Sequence, residues 1–413
     1  MRRYQYLVLL DYVLLSLINY FLTNSVAFSL IFSVISVTML FAFRVYETEY
    51  LESVNEQLTR TVIALFVSNA FKYIFYPFFD KALDLPYVFA HIILASPSVA
   101  VVNYTLNHLF KEKVQSKSYI VIGNKDEVGS VLEEITKKSY GRYRFVEYIN
   151  PSPVKVRTAL KKADGILVAD YELYESVRDE IQQNIEIIYL PHLVETTLKR
   201  IPLEVIEKFK NYYEPAFSQA KESPAKRVLD IVCGVIGFAV FSPVMLIVFL
   251  CILVEDGRPV TFKQLRIGKD NKPFLMYKFR SMKKEKPNQA KFADEEKDRI
   301  LKIGKLIRPF RIDESLQFVN IIKGDMSIVG PRPEQVPFAR DFEQKIPFYS
   351  YRHKVKPGLT GWAQIMYKYS SNLEEVKTKL SYDLYYTKNR TIFMDIRIIL
   401  QTIEAVFWKR GAK

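Results

Sequence analysis

Cysteine is almost missing from this 413-residue chain: there are two, Cys233 and Cys251, and both lie in one apolar run. A disulfide framework is thereby excluded, and reduced thiols acting as small hydrophobes are expected. The spacing G-x-G-x-x-G is absent from the glycine turn Gly123–Gly129, where a nucleotide-binding strand–helix unit would carry it. No small-residue cleavage site follows the first apolar stretch, which runs directly into further apolar segments, so the N-terminus does not read as a cleavable signal. Residues 1–225 also lack any basic excess, with 24 Lys and Arg against 25 Asp and Glu. Residues 226–413 hold 35 against 20, so the formal charge of +14 arises wholly in the C-terminal part. Such an excess suits nucleic acid, an anionic membrane surface or a phosphorylated substrate.

Long apolar runs are what the chain does have. Four open it, at about Tyr6–Leu22, Ala27–Phe43, Val62–Phe79 and Tyr87–Phe110, each near the ~20 residues that cross a bilayer as a helix. Asp11 and Lys72 interrupt the first and third. Arg2, Arg3, Arg44, Arg60, Lys111, Lys113 and Lys117 flank ends that would share one side, against Lys81 alone on the other. This asymmetry predicts a four-helix transmembrane bundle over residues 1–115 with both ends in the cytoplasm.

Residues 116–195 alternate strand-like and helix-like stretches. Tyr119–Gly123, Phe145–Tyr148, Gly165–Ala169 and Ile185–Leu190 read as strands, with helices over Val128–Ile135 and Tyr171–Gln183. A small Rossmann-like parallel α/β domain follows, expected to be structural or regulatory rather than a nucleotide site. Residues 196–224, punctuated by Pro215 and Pro224, read as a linker with some helix.

Val228–Val254 is apolar except for Asp230. As one straight helix it would run roughly 40 Å, more than a bilayer core needs, and Ser242-Pro243 interrupts it midway. A kinked spanning helix and a re-entrant one both suit that proline. Topology favours the second, because a fifth crossing would put the basic C-terminal part outside the cell. The bend is expected to have its freed backbone groups met by Ser242, with Asp230 near the surface beside Lys226 and Arg227. Beyond it, Arg258–Gly268 and Phe274–Met282 alternate as a hairpin around Gly268–Pro273. Residues 283–299 read as a solvated charged stretch, and Ile396, Ile399, Leu400, Ile403 and Phe407, followed by Trp408-Lys409-Arg410, as a helix that suits either the membrane interface or packing onto the domain.

The adjacent carboxylates Asp313 and Glu314 carry the chemistry. Arg308 and Arg311 precede them, and Gly330-Pro331-Arg332-Pro333-Glu334 follows. Acids beside arginines suit reactions on an anionic substrate, with the acids meeting a metal and the arginines phosphate. The same residues also fit a plain helix start: Asp313 as N-cap, Leu316, Val319 and Ile322 on one face, Gly324 as the stop.

KRVLDIV ahead of the Ser-Pro-broken run, KFRSM, RIDESLQFVNIIKGDMSIVGPRPE, KPGLTGWAQI and YDLYYTKNR occur in this order. In this they resemble the bacterial polyprenyl-phosphate hexose-1-phosphate transferases, the large multi-span members of the monotopic phosphoglycosyl transferase superfamily. The resemblance is dense over 226–413; the spans and the degenerate α/β domain match the large members' architecture more loosely. It implies a membrane α/β protein: a four-helix transmembrane bundle, a small Rossmann-like domain, and a C-terminal α/β catalytic domain, 225–413, with a re-entrant helix at 228–254.

For activity, the resemblance implies transfer of a sugar 1-phosphate from a UDP-sugar to undecaprenyl phosphate, releasing UMP, as the first membrane step of a capsule, exopolysaccharide or O-antigen unit. Asp313 matches the nucleophile that forms a phospho-aspartyl intermediate, Glu314 completes the dyad, and both would meet Mg²⁺. Arg308, Arg332, Lys278, Arg280, Gln317 and Asp383 match substrate- or phosphate-binding positions. Lys226, Arg227, Ser242 and Pro243 match the membrane interface. The family's Asp-Glu-Leu-Pro-Gln reads Asp-Glu-Ser-Leu-Gln here, which puts the local turn in question but not the dyad. The implied setting is the bacterial inner membrane with a cytoplasmic catalytic domain, and a homodimer is compatible with it. Nucleic acid is not expected as a partner, since it would leave the apolar runs unexplained. A membrane glycosyltransferase would release UDP instead, and a non-catalytic regulator of polysaccharide export would need neither dyad nor arginines. Because the matched motifs all follow Lys226, residues 1–224 are expected to be dispensable for chemistry.

Overall fold

The structure, a computed structural model, describes residues 3–47, 50–75, 85–111, 116–139, 141–149, 158–159, 163–178, 181, 185–220, 222–283, 300–367 and 372–407. Most of the charged stretch 283–299, the outer loop with Lys81, and Trp408-Lys409-Arg410 lie outside these. Two units divide the chain, Met1–Gln115 and Ser116–Lys413.

The first unit holds α1 (Arg3–Thr23), α2 (Val26–Ala42), α3 (Val54–Phe75) and α4 (Leu85–Lys111). Each packs on the next, and α1 also packs on α4. Large apolar side chains such as Leu17, Phe21, Phe66 and Ile93 point outward, while polar ones turn in. Asn19 Nδ2 donates to Ser33 Oγ at 2.8 Å, Ser36 and Ser68 hydroxyls meet at 2.9 Å, and Asn103 Nδ2 donates to Asp11 Oδ2 at 2.9 Å. That arrangement suits a lipid solvent, where polar groups hold helices together. It also explains how Asp11 is accommodated in an otherwise apolar helix. Lys72 is likewise fully buried. Among the described residues α1, α4 and one later helix, Pro224–Asp256, are long and apolar enough to cross a membrane. The α2 helix is apolar but has 17 residues, and α3 begins at Val54, well before the expected apolar start, taking in Glu56 and Arg60.

In the second unit, β1 (Lys117–Ile122), β2 (Tyr143–Ile149), β3 (Gly165–Val168) and β4 (Glu186–Tyr189) form a parallel sheet in the order β2-β1-β3-β4. The parallel α/β reading of 116–195 thus describes its architecture. Helix α5 (Lys125–Lys138) begins at Asn124, whose side chain accepts from Asp126 N, and α6 spans Tyr171–Glu175. At the C-terminal ends of β1 and β3, where ligands of such sheets bind, Lys208 pairs with both Glu127 and Asp170.

The helix expected in the 196–224 linker is present and packed into the core. With the end of the α/β segment these residues form α7 (Leu190–Leu198), α8 (Leu203–Lys208) and α9 (Lys210–Ser218). Tyr213 and Phe217 are fully buried in one core that runs from Tyr119 and Leu132 to Ile267, Ile346, Tyr349, Leu380 and Leu384. Their aromatic and aliphatic spacing lets α9 cover the C-terminal part rather than tether it.

Helix α10 spans Pro224–Asp256 and continues through Ser242-Pro243 without a helical gap. Its buried residues, Lys226, Asp230, Gly234, Met245, Val248 and Ile252, keep one helical face, while the rest is exposed apolar surface. The expected hairpin follows, β5 (Thr261–Ile267) against β6 (Pro273–Phe279), in register from Thr261↔Phe279 to Ile267↔Pro273. Then come α11 (Lys302–Ile307), a 3-10 turn at Ile312–Glu314, α12 (Gln317–Lys323) and β7 (Ser327–Val329). The chain closes with α13 (Val336–Lys345), a 3-10 turn at Tyr349–Lys354, β8 (Gly358–Thr360), α14 (Trp362–Met366), α15 (Leu373–Asn389) and α16 (Ile392–Phe407).

Candidate active site

The dyad sits on the turn between α11 and α12. Arg311 enters it with a left-handed backbone, φ 55°, and Glu314 N then bonds back to Arg311 O at 3.1 Å. Asp313 caps no helix: α12 starts later, with Leu316 at its cap position. The helix stops at Gly324 as expected, but its buried residues are Gln317, Asn320 and Ile321, not Leu316, Val319 and Ile322. The reason is polar. Asn320 accepts from Tyr277 N at 3.1 Å and donates to Leu275 O at 2.7 Å, fixing that face against β6.

The two carboxylates have opposite surroundings. Glu314 is buried among cations: Oε1 accepts from Lys278 Nζ at 2.8 Å and Arg332 Nη2 at 2.6 Å, with Arg311 Nη1 3.8 Å from Oε2. Burial opposes its charge, yet Arg332, Lys278 and Arg311 together hold its carboxyl well below the usual range. Asp313 makes no ion pair among the described residues. Burial and the neighbouring Glu314 charge push it up to about 6, against the pull of Lys278 and Arg308. Arg308, at the end of α11, has its Nη1 buried without a partner among the described residues. Such an atom is a donor awaiting an acceptor.

Arg332 is presented by a turn held at every carbonyl from 331 to 334. Pro331 O accepts from Gly358 N at 3.0 Å, Arg332 O from Arg352 Nη2 at 2.9 Å, Pro333 O from Arg266 Nη1 at 3.0 Å, and Glu334 O from Ile267 N at 3.0 Å. Gly330 N donates to Thr360 O at 2.9 Å. A Cβ on Gly330 would stand 2.3 Å from Lys356 O, and one on Gly358 2.1 Å from Gly330 N. GPRPE and KPGLTGW, far apart in sequence, therefore form one backbone-to-backbone unit that only glycine permits.

Several expected site residues lie elsewhere. Arg280 reaches the end of α10, its Nη2 donating to Asp256 O at 2.9 Å and Gly257 O at 2.8 Å, and forms no ion pair with the dyad. Asp383, on α15, stands behind the dyad with Arg352 and Arg332 between. It binds Arg352 through Nε at 3.1 Å and Nη2 at 2.8 Å, and burial raises its carboxyl despite that arginine. Gln317 is buried at the start of α12. Lys226 and Arg227, expected at the membrane surface, are structural. Lys226 is 7% exposed and donates to Asp395 Oδ2 at 2.8 Å and Val329 O at 3.0 Å. Arg227 donates to Ile321 O at 2.8 Å and Ile322 O at 2.7 Å, closing the C-terminus of α12. Asp230 accepts from Ser327 Oγ at 2.8 Å and Ile328 N at 3.0 Å. These three residues, an adjacent pair and a third about one turn on, rivet α10 onto β7 and α12.

Ser242 Oγ donates to Ala239 O at 2.7 Å. In a regular helix that carbonyl would receive the N–H of residue 243, which proline lacks. The serine fills the vacancy, as its position before proline led one to expect. Sequence reading missed Arg352 and Arg266, whose motifs carry no spacing signal; only the turn they hold reveals them. Among the described residues no group of three or more His, Cys, Asp or Glu side chains could hold a metal alone.

Residues 221–409 match the family model for bacterial sugar transferase, the segment from just before α10 through α16, which contains dyad, turn and hairpin. A Bacillus subtilis relative, "Uncharacterized sugar transferase EpsL", is 36% identical over 186 residues, covering 45% of this chain and 89% of its own. The chain belongs to the bacterial sugar transferase family.

Among its relatives, a UDP-N-acetylgalactosamine-undecaprenyl-phosphate N-acetylgalactosaminephosphotransferase of Aeromonas hydrophila is 39% identical over 235 residues, 56% of this chain and 54% of that protein. A UDP-glucose:undecaprenyl-phosphate glucose-1-phosphate transferase of Escherichia coli K12 is 38% identical over 190 residues, 45% and 41% respectively. The chain thus spans about half the length of these two.

Proposed function

We propose that this protein transfers a sugar 1-phosphate from a UDP-sugar to undecaprenyl phosphate, releasing UMP, at the cytoplasmic face of a bacterial inner membrane. The observation that carries the reading is the asymmetry of the dyad. Glu314 is locked among Lys278, Arg332 and Arg311, whereas among the described residues Asp313 makes no ion pair and the neighbouring Arg308 Nη1 has no partner. A carboxylate left free next to a fixed cationic wall suits nucleophilic attack on phosphorus.

In this reading Asp313 attacks the sugar-bearing phosphorus of the donor, the bond to the UMP oxygen breaks, and an aspartyl phosphate ester of the sugar forms. The undecaprenyl phosphate oxygen then displaces Asp313. Dividing transfer this way lets a soluble donor and a lipid acceptor use one site in turn. Two unit negative charges at 4 Å repel by about 4 kcal/mol at an effective dielectric near 20, so approach needs neutralisation. Arg308 and Arg332 supply part of it from the protein. The oxygen donors here fit Mg²⁺, which takes one or two carboxylates and completes its shell with substrate phosphates. Asp313 is the carboxylate free to serve, since Glu314 Oε1 already accepts from two cations. When bound, the ion supplies charge neutralisation on the phosphoryl oxygens.

Membrane placement rests on α10. Both ends are fastened to the same catalytic part, Lys226 to Asp395 and Asp256 to Arg280. Phe318 meets Gly237 and Phe241 on the first half and the Met245–Val248–Ile252 cluster on the second. This supports a helix that enters the bilayer and returns, with Ser242-Pro243 at its deepest point and the exposed face of Val235, Val240, Leu246 and Leu250 in lipid. The first unit then anchors the chain as a four-span bundle.

Nucleotide release tests the proposal: UMP, in stoichiometry with a lipid diphosphosugar and dependent on Mg²⁺, is the expected product across a panel of UDP-sugars. Stoichiometric UDP would refute it in favour of direct glycosyl transfer.

A further inference from the structure

We propose that Arg352 is a positioning residue for Arg332, with Asp383 its clamp and Arg266 its counterpart on the next carbonyl. The inference rests on Arg332 serving the donor phosphates as proposed above. Arg352 is 2% exposed and uses its whole fork. Nε and Nη2 bind Asp383 Oδ2, Nη1 donates to the Tyr349 hydroxyl at 2.8 Å, and Nη2 also donates to Arg332 O at 2.9 Å. Its guanidinium thus points not at the dyad but at the backbone of the residue whose own guanidinium grips Glu314 at 2.6 Å. Arg266 does the same one residue on, with Nη1 on Pro333 O and both Nε and Nη2 held by Gln264 Oε1 at 3.1 and 2.7 Å.

A fork of fixed geometry is what this task needs. Asp383 fixes the plane of the Arg352 guanidinium, and the plane fixes where Arg332 O sits. Lysine carries the same charge on a single amine and cannot span Asp383, Tyr349 and Arg332 O together. Arg352→Lys therefore keeps a cation beside Asp383, so the core avoids an unpaired buried charge, but it releases the carbonyl of Arg332. A displacement of about 1 Å at a positioning group costs on the order of 10²-fold in rate.

The test is a double-mutant cycle in the full-length enzyme, reading kcat and KM with the UDP-sugar that the wild type turns over, and melting midpoints alongside. Arg352→Lys is expected to lower kcat/KM by about 10²-fold with its melting midpoint near the wild type. In an Arg332→Lys background the same change should cost no more than about 3-fold, because two residues acting through one guanidinium are not additive. Full additivity overturns the proposal, as does an Arg352→Lys enzyme of wild-type kcat/KM. If Arg352→Lys fails to fold, the cycle is run with Arg266→Lys, which touches only the Pro333 carbonyl of the turn, and the same outcomes decide. An active wild type with an additive cycle sinks this inference alone; a wild type that releases no UMP sinks the functional reading first.

Discussion

Cutting the chain before Pro224 should cripple it, although every motif of the transferase family lies beyond that point. Such a cut strips α7, α8 and α9 from the core they share with Ile267, Ala339, Ile346, Tyr349, Leu380 and Leu384. If each of those six side chains regains half its exposure, the loss is about 1 kcal/mol apiece, or ~6 kcal/mol together. The polar contacts that go with it, Lys388 and Asn389 on Glu195 and the Trp362 indole on Lys199 O, rehydrate and count for little. Against a total stability of 5–15 kcal/mol, ~6 kcal/mol lowers the melting midpoint by about 12–24 °C for a domain of this size. A chain beginning at Ser116 keeps that core whole and should melt cooperatively and release UMP in detergent. The one beginning at Pro224 should melt at least 12 °C lower and lose most turnover at 37 °C. Equal midpoints and equal turnover for the two would refute the reasoning. The comparison is pointed because the Bacillus relative is matched over 89% of its length by only 186 residues of this chain.

Three further outcomes follow from particular side chains. Asp313→Asn should leave the melting midpoint within about 2 °C, since Asp313 is neither a helix cap nor ion-paired, while UMP release falls to background; near wild-type turnover would dismiss the nucleophile. Pro243→Ala restores an N–H for Ala239 O and should straighten α10, so that a cysteine label at Lys269, expected to report the cytoplasm in the parent, becomes reachable from the periplasm in part of the population. Glu334, buried but ringed by Lys379, Arg352 and Arg266, is held down to about 2. Its stabilisation is complete above the ordinary carboxylate range near 4.5 and is lost as pH falls toward 2. Midpoints measured from pH 5 to 2 should therefore fall less steeply in Glu334→Gln than in the wild type.

Legibility in the sequence tracked periodicity and turn chemistry. The β5–β6 hairpin was readable because alternation and a Gly–Pro-bounded turn are local, and the parallel sheet because strand and helix alternate. The four helices of the first unit were readable as apolar runs, though the start of α3 was not, since Glu56 and Arg60 broke the run that marks it. What sequence could not convey was partnership at a distance. Lys226 and Arg227 beside an apolar run read as a headgroup pair, yet Asp395 and the carbonyls of α12 claim them. Asp383 read as a phosphate-site acid, but its partner Arg352 sits 31 residues away in a stretch without spacing signal. The packing of the 196–224 linker was hidden for the same reason: Tyr213 and Phe217 are apolar in a segment with prolines, and the core they share with Leu380 and Leu384 shows why.

Helix α15 faces two ways. On one side Ser381 O receives Ile201 N at 2.9 Å and Lys388 holds Glu195 at 2.8 Å, both from the region that carries no family motif. On the other, Asp383 aims Arg352 at the turn that presents Arg332. Helix α15 thereby joins the helices that follow the α/β sheet to the residues behind the Arg332 turn in one continuous element. A substitution among residues 190–217 would reach the Arg332 turn by way of α15 while every motif residue stays as it was, and kcat measured for such variants tests whether that route carries coupling.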